Sequence, residues 1–181
     1  MTTIAPKRAY DRTSYILVVD DDNTLLKFFK IHLNKFFSRV VVVKNAKEAT
    51  DAMREKEIDL VITDIRMPRM DGLQLMKRVR KHDSTIPVLI VSGALLTEEQ
   101  EEICNNDADG FLRKPFTVDE LHAFIEGGMQ LRDTYVKLTA LLPDKKHFRD
   151  LLSGKYKVEK IKDKPQREEA QAILQSLKSA S

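Results

Sequence analysis

Five polar residues with the side chains that phosphoryl chemistry needs stand at or beside the end of a short apolar run. They are Asp20, Asp21, Asp64, Ser92 and Lys114. Three carboxylates gathered at one place repel one another, which raises their pKa values unless a cation neutralises them. A hard divalent ion such as Mg²⁺, or Mn²⁺ in its place, meets that need because it prefers oxygen ligands and keeps several waters.

With such an ion bound, the Asp64 carboxylate could act as a nucleophile toward phosphorus. The Lys114 ammonium would offset charge on the phosphoryl oxygens, and the Ser92 hydroxyl would donate a hydrogen bond to one of them. Gly93, which follows Ser92, would leave room for the incoming group. Each aspartate alone could equally be a turn former or a helix cap, so the prediction depends on all of these residues occurring together.

The apolar runs predict the strands that must position these residues. They cover residues 16–19, 40–43, 60–63, 88–91 and 110–112 and show little alternation of polar and apolar side chains. Strands that are apolar on both faces belong to a parallel sheet covered by helices on both sides. Segments with helical spacing separate the runs, so we expect a doubly wound α/β fold whose functional residues lie at the carboxyl ends of the strands. Thr97 and Gln100 match a capping box that would start the fourth helix.

Four stretches of the chain, taken in order, resemble the receiver domain of two-component response regulators. They are ILVVDDD (16–22), VITDIRMPRMDG (61–72), PVLIVSG (87–93) and GFLRKPF (110–116). The resemblance covers roughly residues 14–128 and implies a flavodoxin-like (βα)5 sheet with strand order 2-1-3-4-5. We therefore divide the chain into a disordered segment at 1–13, a receiver domain at 14–128 and a mainly helical extension at 129–181.

The resemblance implies a role for each site residue. Asp64 would be the phospho-acceptor, and Lys114 would contact the phosphoryl group. The metal ligands would be Asp20, Asp21, Asp64 and the backbone carbonyl of Arg66. The Arg66 side chain could either shield the phosphoryl group from water or pair with it.

The resemblance also implies a switch pair, which falls here on Ser92 and Phe111, and a cis peptide bond between Lys114 and Pro115. Ser92 stands where threonine is commoner, Gly93 where alanine is commoner, and Phe111 lacks a tyrosine hydroxyl. The expected function is that of a switch rather than a turnover enzyme. It would take its phosphoryl group from a histidine kinase or a histidine phosphotransfer protein and respond at the face of the fourth helix, fifth strand and fifth helix.

A haloacid-dehalogenase-like phosphatase is a rival interpretation. Asp20, Asp22 and Thr24 spell the D-x-D-x-T start of that family, with Asp20 as nucleophile and with Ser92 and Lys114 as later motifs. That pattern requires further acidic metal ligands after the lysine, where this chain has only helix-like sequence. It also leaves Asp64 unexplained.

The extension offers two possible outputs. From residue 121 to residue 142 the apolar or small positions follow at steps of three and four, so a helix over 117–142 could form a homodimer or pack back on its own domain. Gly127 and Gly128 weaken that helix, and a bend or break there is an alternative. Residues 129–181 hold 12 Lys and Arg against 7 Asp and Glu, so this segment has a net charge of +5, whereas the whole chain has a net charge of +3. A DNA-binding transcription regulator acting through this basic tail is therefore a second alternative, ranked below a switch read by protein partners.

Composition limits the class of protein. The single cysteine, Cys104, cannot form a disulfide within the chain, and no run of eighteen apolar residues predicts a membrane span. The N-terminal residues lack the apolar stretch of a signal peptide, so the cytoplasm is the expected location.

Overall fold

The computed structural model of the chain describes residues 13–93 and 95–180. Five strands form one sheet: β1 (Tyr15–Val19), β2 (Arg39–Val43), β3 (Leu60–Thr63), β4 (Val88–Ser92) and β5 (Gly110–Arg113). All neighbouring strands are parallel, and their order is β2-β1-β3-β4-β5. The predicted fold class and strand order are confirmed. The N-terminal segment predicted to be disordered lies outside the described residues except for Thr13.

Helices connect the strands and continue beyond the last one. They are α1 (Asn23–Leu33), α2 (Ala46–Glu55), α3 (Gly72–His82), α4 (Glu98–Asp107), α5 (Val118–Ala140), α6 (Phe148–Leu152) and α7 (Lys164–Ala180). Short 3-10 turns at Lys145–His147 and Val158–Lys160 flank α6 and precede α7. Within the described residues, no helix combines the length and the apolar composition that crossing a membrane requires.

Local sequence sets where the helices begin. Asp22, Asn45 and Asp71 each accept a hydrogen bond from a backbone N–H of the first turn of the helix that follows. The predicted capping box at Thr97 is present, and a second one at Thr117 starts α5. These caps fix the turns that follow β1, β3, β4 and β5, which are the turns that carry the predicted site residues.

Helices on both faces of the sheet explain why the strands lack alternation. Ile16 and Val18 of β1 face the cluster that includes α1 and α5, while Leu17 and Val19 face the cluster that includes α2 and α3. All four side chains are buried. Burial on both faces selects apolar residues at consecutive positions, as in other parallel sheets.

Helix α5 runs through both glycines as one helix of 23 residues. A Cβ at Gly128 would lie 2.9 Å from side-chain carbons of Leu60 and Leu89, so the missing side chain lets the helix pack closely on the sheet. The predicted boundary between residues 128 and 129 falls inside this helix.

The end of α5 and the residues that follow it, 141–180, here called the tail, share a third apolar cluster. Its buried members are Tyr135, Leu138, Phe148, Leu151, Ile161 and Ala170. The first half of the predicted seam, at Leu121, packs against the sheet, and the second half, at Leu131 and Leu138, packs against the tail. The first half therefore packs on the receiver domain, as one alternative predicted, and the residues after α5 cover the second half, which neither alternative included. A homodimer through residues 117–142 stays a prediction.

Candidate functional site

Two aspartates and a lysine from three different strand ends meet at the carboxyl edge of the sheet. The Lys114 ammonium donates to Asp20 Oδ2 at 2.9 Å and to Asp64 Oδ1 at 2.7 Å. Only 4% of the Asp20 side chain and 9% of the Asp64 side chain are exposed, against 25% for Lys114. The structure thus brings together three predicted site residues, although Asp20 and Asp64 lie 94 and 50 positions before Lys114 in the chain.

The backbone around Asp64 explains the spacing of the motif that contains it. Asp64 continues β3, since its N–H donates to Val19 O at 3.0 Å. Its second carboxylate oxygen, Oδ2, accepts the Arg66 N–H at 2.5 Å. The chain then folds back so that the Gly72 N–H donates to Ile65 O at 2.9 Å. A Cβ at Gly72 would lie 2.1 Å from the Asp64 carbonyl oxygen, so this return requires glycine.

The three consecutive aspartates after β1 have different surroundings. Asp20 is buried, and its Oδ1 accepts the Asp22 N–H at 2.8 Å. Asp21 is exposed beside it. Asp22 caps α1 by accepting from Thr24 N at 2.7 Å. Asp22, the second acid of the phosphatase-like pattern, therefore has a structural role at the start of a helix.

The electrostatics of the cluster follow from burial and from the shared ammonium. Burial raises the pKa of Asp20, and the hydrogen bond from Lys114 only partly opposes that effect. Burial lowers the pKa of Lys114, but its bonds to Asp64 and Asp20 outweigh this effect and hold the pKa above its usual value. Lys114 is therefore a cation at neutral pH, and one positive charge faces two buried carboxylates.

The two carboxylates carry more negative charge than the Lys114 ammonium neutralises, which makes these oxygen donors suitable for a hard divalent cation. Asp20 and Asp64 offer carboxylate oxygens, Asp21 lies next in the chain, and the Arg66 backbone offers a carbonyl, which is the oxygen-only chemistry that Mg²⁺ takes. Over residues 13–93 and 95–180, no three acidic, histidine or cysteine side chains already stand close enough to hold an ion jointly. The buried pair supplies the two carboxylates that Mg²⁺ commonly uses with waters and a substrate phosphate.

The predicted switch residues lie beside this cluster. Ser92 is buried at the end of β4, and its carbonyl oxygen accepts the Lys114 N–H at 3.0 Å. A Cβ at Gly93 would lie 3.3 Å from Lys114 Cβ, so in this structure Gly93 makes room for the lysine stem. That Gly93 also leaves room for the incoming group stays a prediction. Phe111 is partly buried against the core on the α2–α3 side, and the Lys114–Pro115 bond is cis, as expected.

Two contacts of the structure have no signal in the sequence. The Arg66 guanidinium donates to Leu95 O at 2.9 Å and so joins the loop after β3 to the loop after β4. Asp109, just before β5, is the centre of a charged cluster at the opposite end of the sheet. The first contact uses a backbone carbonyl, which any residue has. The second involves partners far away in the chain.

Comparison with known proteins agrees with this geometry. Residues 16–126 match the family described as "Response regulator receiver domain". The chain is 36% identical over 106 residues to the transcriptional regulatory protein ZraR of Klebsiella oxytoca, a match that covers 59% of this chain and 24% of ZraR. It is 30% identical over 115 residues to the virulence transcriptional regulatory protein PhoP of Salmonella typhimurium, covering 64% of this chain and 51% of PhoP. The chain thus spans about half or less of the length of these relatives.

A solved structure is similar over the same region. The response regulator TrrA from Thermotoga maritima, crystallised in complex with Mg(2+)-BeF, has 26% sequence identity and a TM-score of 0.56, and the match covers 63% of this chain and 97% of TrrA. The family match spans more than half of the chain, and the strand order and the acid-rich strand ends agree with it. The chain therefore belongs to the response regulator receiver domain family.

Proposed function

We propose that this protein is a phosphorylation-controlled switch in which Asp64 accepts a phosphoryl group from a phosphohistidine donor. The donor would be a sensor histidine kinase or a histidine phosphotransfer protein. One observation carries the proposal: a half-buried ammonium, Lys114, holds the buried Asp64 and Asp20 carboxylates together where three strands end. We expect the protein to act in the cytoplasm and to perform only its own phosphorylation and dephosphorylation.

The transfer uses groups that the fold already orients. An Asp64 carboxylate oxygen forms a bond to phosphorus while the bond between phosphorus and the donor imidazole nitrogen breaks. The imidazole leaves with the electron pair of that bond and takes up a proton, and an aspartyl phosphate remains. The Arg66 N–H, now 2.5 Å from Asp64 Oδ2, holds the carboxylate in one orientation during the attack.

Charge on the transferring group needs stabilisation, and nearby side chains can provide it. The Lys114 ammonium can follow the new oxygens because it already contacts the acceptor carboxylate. The Asp20 and Asp64 side chains, with Asp21 and the Arg66 carbonyl, would hold Mg²⁺ or Mn²⁺. When bound, the ion supplies charge neutralisation and orients the phosphoryl oxygens.

Phosphorylation would then be read through Ser92 and Phe111. The Ser92 hydroxyl would move toward the phosphoryl oxygens, and Phe111 would turn inward behind it, which alters the face of α4, β5 and α5. Such a change is a shift between two conformations whose populations the phosphoryl group biases. ZraR and PhoP are named as transcriptional regulators, but the matched residues are a fraction of their length, so we propose no DNA-binding output.

Incubation with acetyl phosphate and Mg²⁺, followed by intact mass measurement, tests the proposal. The wild-type protein should gain the mass of one phosphoryl group, and Asp64→Asn should not, because an amide is not a nucleophile toward phosphorus. Asp51→Asn changes a partly exposed aspartate on α2 in the same way and serves as the control. Phosphorylation of Asp64→Asn at the wild-type level would refute the proposal, and its loss in Asp20→Asn alone would favour the phosphatase-like chemistry.

A further inference from the structure

Asp109 is a buried carboxylate that four separate parts of the chain contact. It stands directly before β5, and only 3% of its side chain is exposed. Its Oδ1 accepts from Tyr135 Oη at 2.7 Å and from Arg149 Nη1 at 3.2 Å. Its Oδ2 accepts from Val88 N at 2.7 Å and from Arg80 Nη2. The carboxylate therefore joins the starts of β4 and β5 to α3, to α5 and to the tail.

The tail side of this cluster is a single arginine of α6. The Arg149 guanidinium lies 5.0 Å from the ring centre of Tyr135 and 5.1 Å from that of Phe148. Its Nε donates to Ser84 O at 2.8 Å. Within residues 13–93 and 95–180, Arg149 Nη2 is buried and has no hydrogen-bond acceptor. That N–H group would regain a partner in water if the tail moved away.

The protonation states keep the cluster tightly held in the unphosphorylated protein. Burial alone would raise the pKa of Asp109, but Arg80 and Arg149 outweigh that effect and lower it, so the carboxylate is charged. Burial and Asp109 both raise the pKa of Tyr135, so the phenol stays protonated and remains a donor. Asp109 already accepts from four donors, so a displacement of its carboxylate away from Arg149 weakens the contact that holds the tail.

Asp109 and its partner Val88 occupy the opposite ends of the two strands that carry the proposed phosphate-responsive residues. Val88 begins β4 and Ser92 ends it, while β5 leads from Asp109 to Lys114. The two strands are paired along their length, from Leu89 with Gly110 to Ser92 with Arg113. Backbone hydrogen bonds close the pair at both ends, from Asp109 N to Val88 O at 3.0 Å and from Lys114 N to Ser92 O at 3.0 Å, so one ladder connects the Asp109 end to the Ser92 end.

We propose that the tail, residues 141–180, is a docked output element whose attachment at Asp109 is weakened when Asp64 is phosphorylated. Movement of Ser92 and Lys114 toward the phosphoryl group shifts β4 and β5 and misaligns the carboxylate that holds Arg149. Release of the tail then exposes the apolar cluster that the tail shares with the end of α5. This inference depends on the proposed function, because the stimulus is the phosphoryl group on Asp64.

Hydrogen exchange of the full chain, read by mass spectrometry with and without acetyl phosphate and Mg²⁺, tests the coupling. Intact mass on the same samples gives the phosphorylated fraction. Amides of residues 148–175 should exchange at least about fivefold faster in the phosphorylated protein, the lower range of typical coupling between sites. Amides of α1 serve as the internal reference. Absence of phosphorylation would refute the proposed function, whereas phosphorylation without faster tail exchange would refute only the coupling.

An arginine substitution tests the same coupling in the other direction. Arg149→Gln removes the tail's charge from Asp109 and should speed tail exchange without phosphorylation. Because coupling between two binding events is reciprocal, this variant should also bind beryllium fluoride with Mg²⁺ several-fold more tightly in calorimetric titration. Arg167→Gln is the matched control, since Arg167 donates within the tail, to Ile161 O at 3.3 Å.

Unchanged affinity in Arg149→Gln would overturn the inference. The test holds even if the variant's tail unfolds, because an undocked tail is the state that the substitution is designed to produce. Loss of beryllium fluoride binding in both arginine variants would equally contradict it.

Discussion

Replacement of Lys114 by methionine should expose how much of the local stability depends on one ammonium. The substitution keeps most of the side chain's length and removes its charge. Asp20 and Asp64 would then face each other at neutral pH with no cation between them, while the backbone bond from Lys114 N to Ser92 O could remain.

The distances set the size of the effect. The ammonium lies 2.9 Å from Asp20 Oδ2 and 2.7 Å from Asp64 Oδ1. The two oxygens are therefore roughly 6 Å apart or closer, and two unit charges at that separation repel by about 3 kcal/mol at an effective dielectric constant of about 20. Removing one partner of a buried ion pair costs about 3–5 kcal/mol, and a lysine that is one quarter exposed belongs at the lower end of that range.

Urea unfolding followed by circular dichroism, in metal-free buffer at neutral pH, measures this free energy. Lys47→Met is the matched control, because Lys47 pairs with Asp51 at 3.0 Å on the surface, where an ion pair contributes about 0–1 kcal/mol. Added Mg²⁺ should stabilise Lys114→Met more than the wild type, since the ammonium no longer competes for the carboxylates. Equal destabilisation by the two methionine substitutions, or a variant that Mg²⁺ leaves unchanged, would refute this account of the site.

Three further predictions concern the backbone, the buried carboxylate and the tail. Gly72→Ala should lower both stability and phosphorylation, since its Cβ would lie 2.1 Å from the Asp64 carbonyl oxygen. Gly127→Ala should instead stabilise α5 by up to about 1 kcal/mol, because a Cβ there would have nothing within 4 Å. Thermal unfolding distinguishes the two outcomes. The pKa of Asp109 is lowered in the folded protein, so its contribution to stability is complete above the ordinary pKa and is lost as the pH falls through the folded value. Asp109→Asn should therefore cost about 3–5 kcal/mol at neutral pH and progressively less below about pH 4, as urea titrations across pH would show. Phe148→Ala should cost about 3–5 kcal/mol in the tail cluster, because the ring is fully buried, and limited proteolysis should then cleave the tail before the receiver domain.

The site could be predicted from the sequence because each of its residues is fixed by a local rule. Asp64 and Lys114 follow apolar runs, and parallel strands bring their carboxyl ends to one edge whatever separates them along the chain. The caps at Thr97 and Thr117 are equally local, because donor and acceptor lie three residues apart. Gly72, the first residue of α3, belongs to the motif, but only the structure shows why it must be glycine, namely the nearby Asp64 carbonyl oxygen.

The packing of the tail could not be predicted in the same way. Its apolar spacing predicted a helix and a seam, but the same seam could meet a second copy of the chain or the chain's own later residues. The spacing shows that a face must be covered and does not identify the covering group. The folded chain covers it with Phe148 and Leu151, which lie beyond a proline that ends the run.

The sequence alone therefore determined the sheet, the residues at which helices start, and the acids and the amine at the carboxyl edge of the sheet. It could do so because periodicity, capping and strand-end position are short-range properties. Only the tertiary structure decided that Gly93 gives space to Lys114, that Arg66 contacts Leu95, and that Asp109 holds the tail. The side-chain partners of Asp109, which are Arg80, Tyr135 and Arg149, lie 29, 26 and 40 positions away, and a hydrogen bond over such separations leaves no periodic trace in the chain. The distances between these groups are fixed only when the helices pack on the sheet.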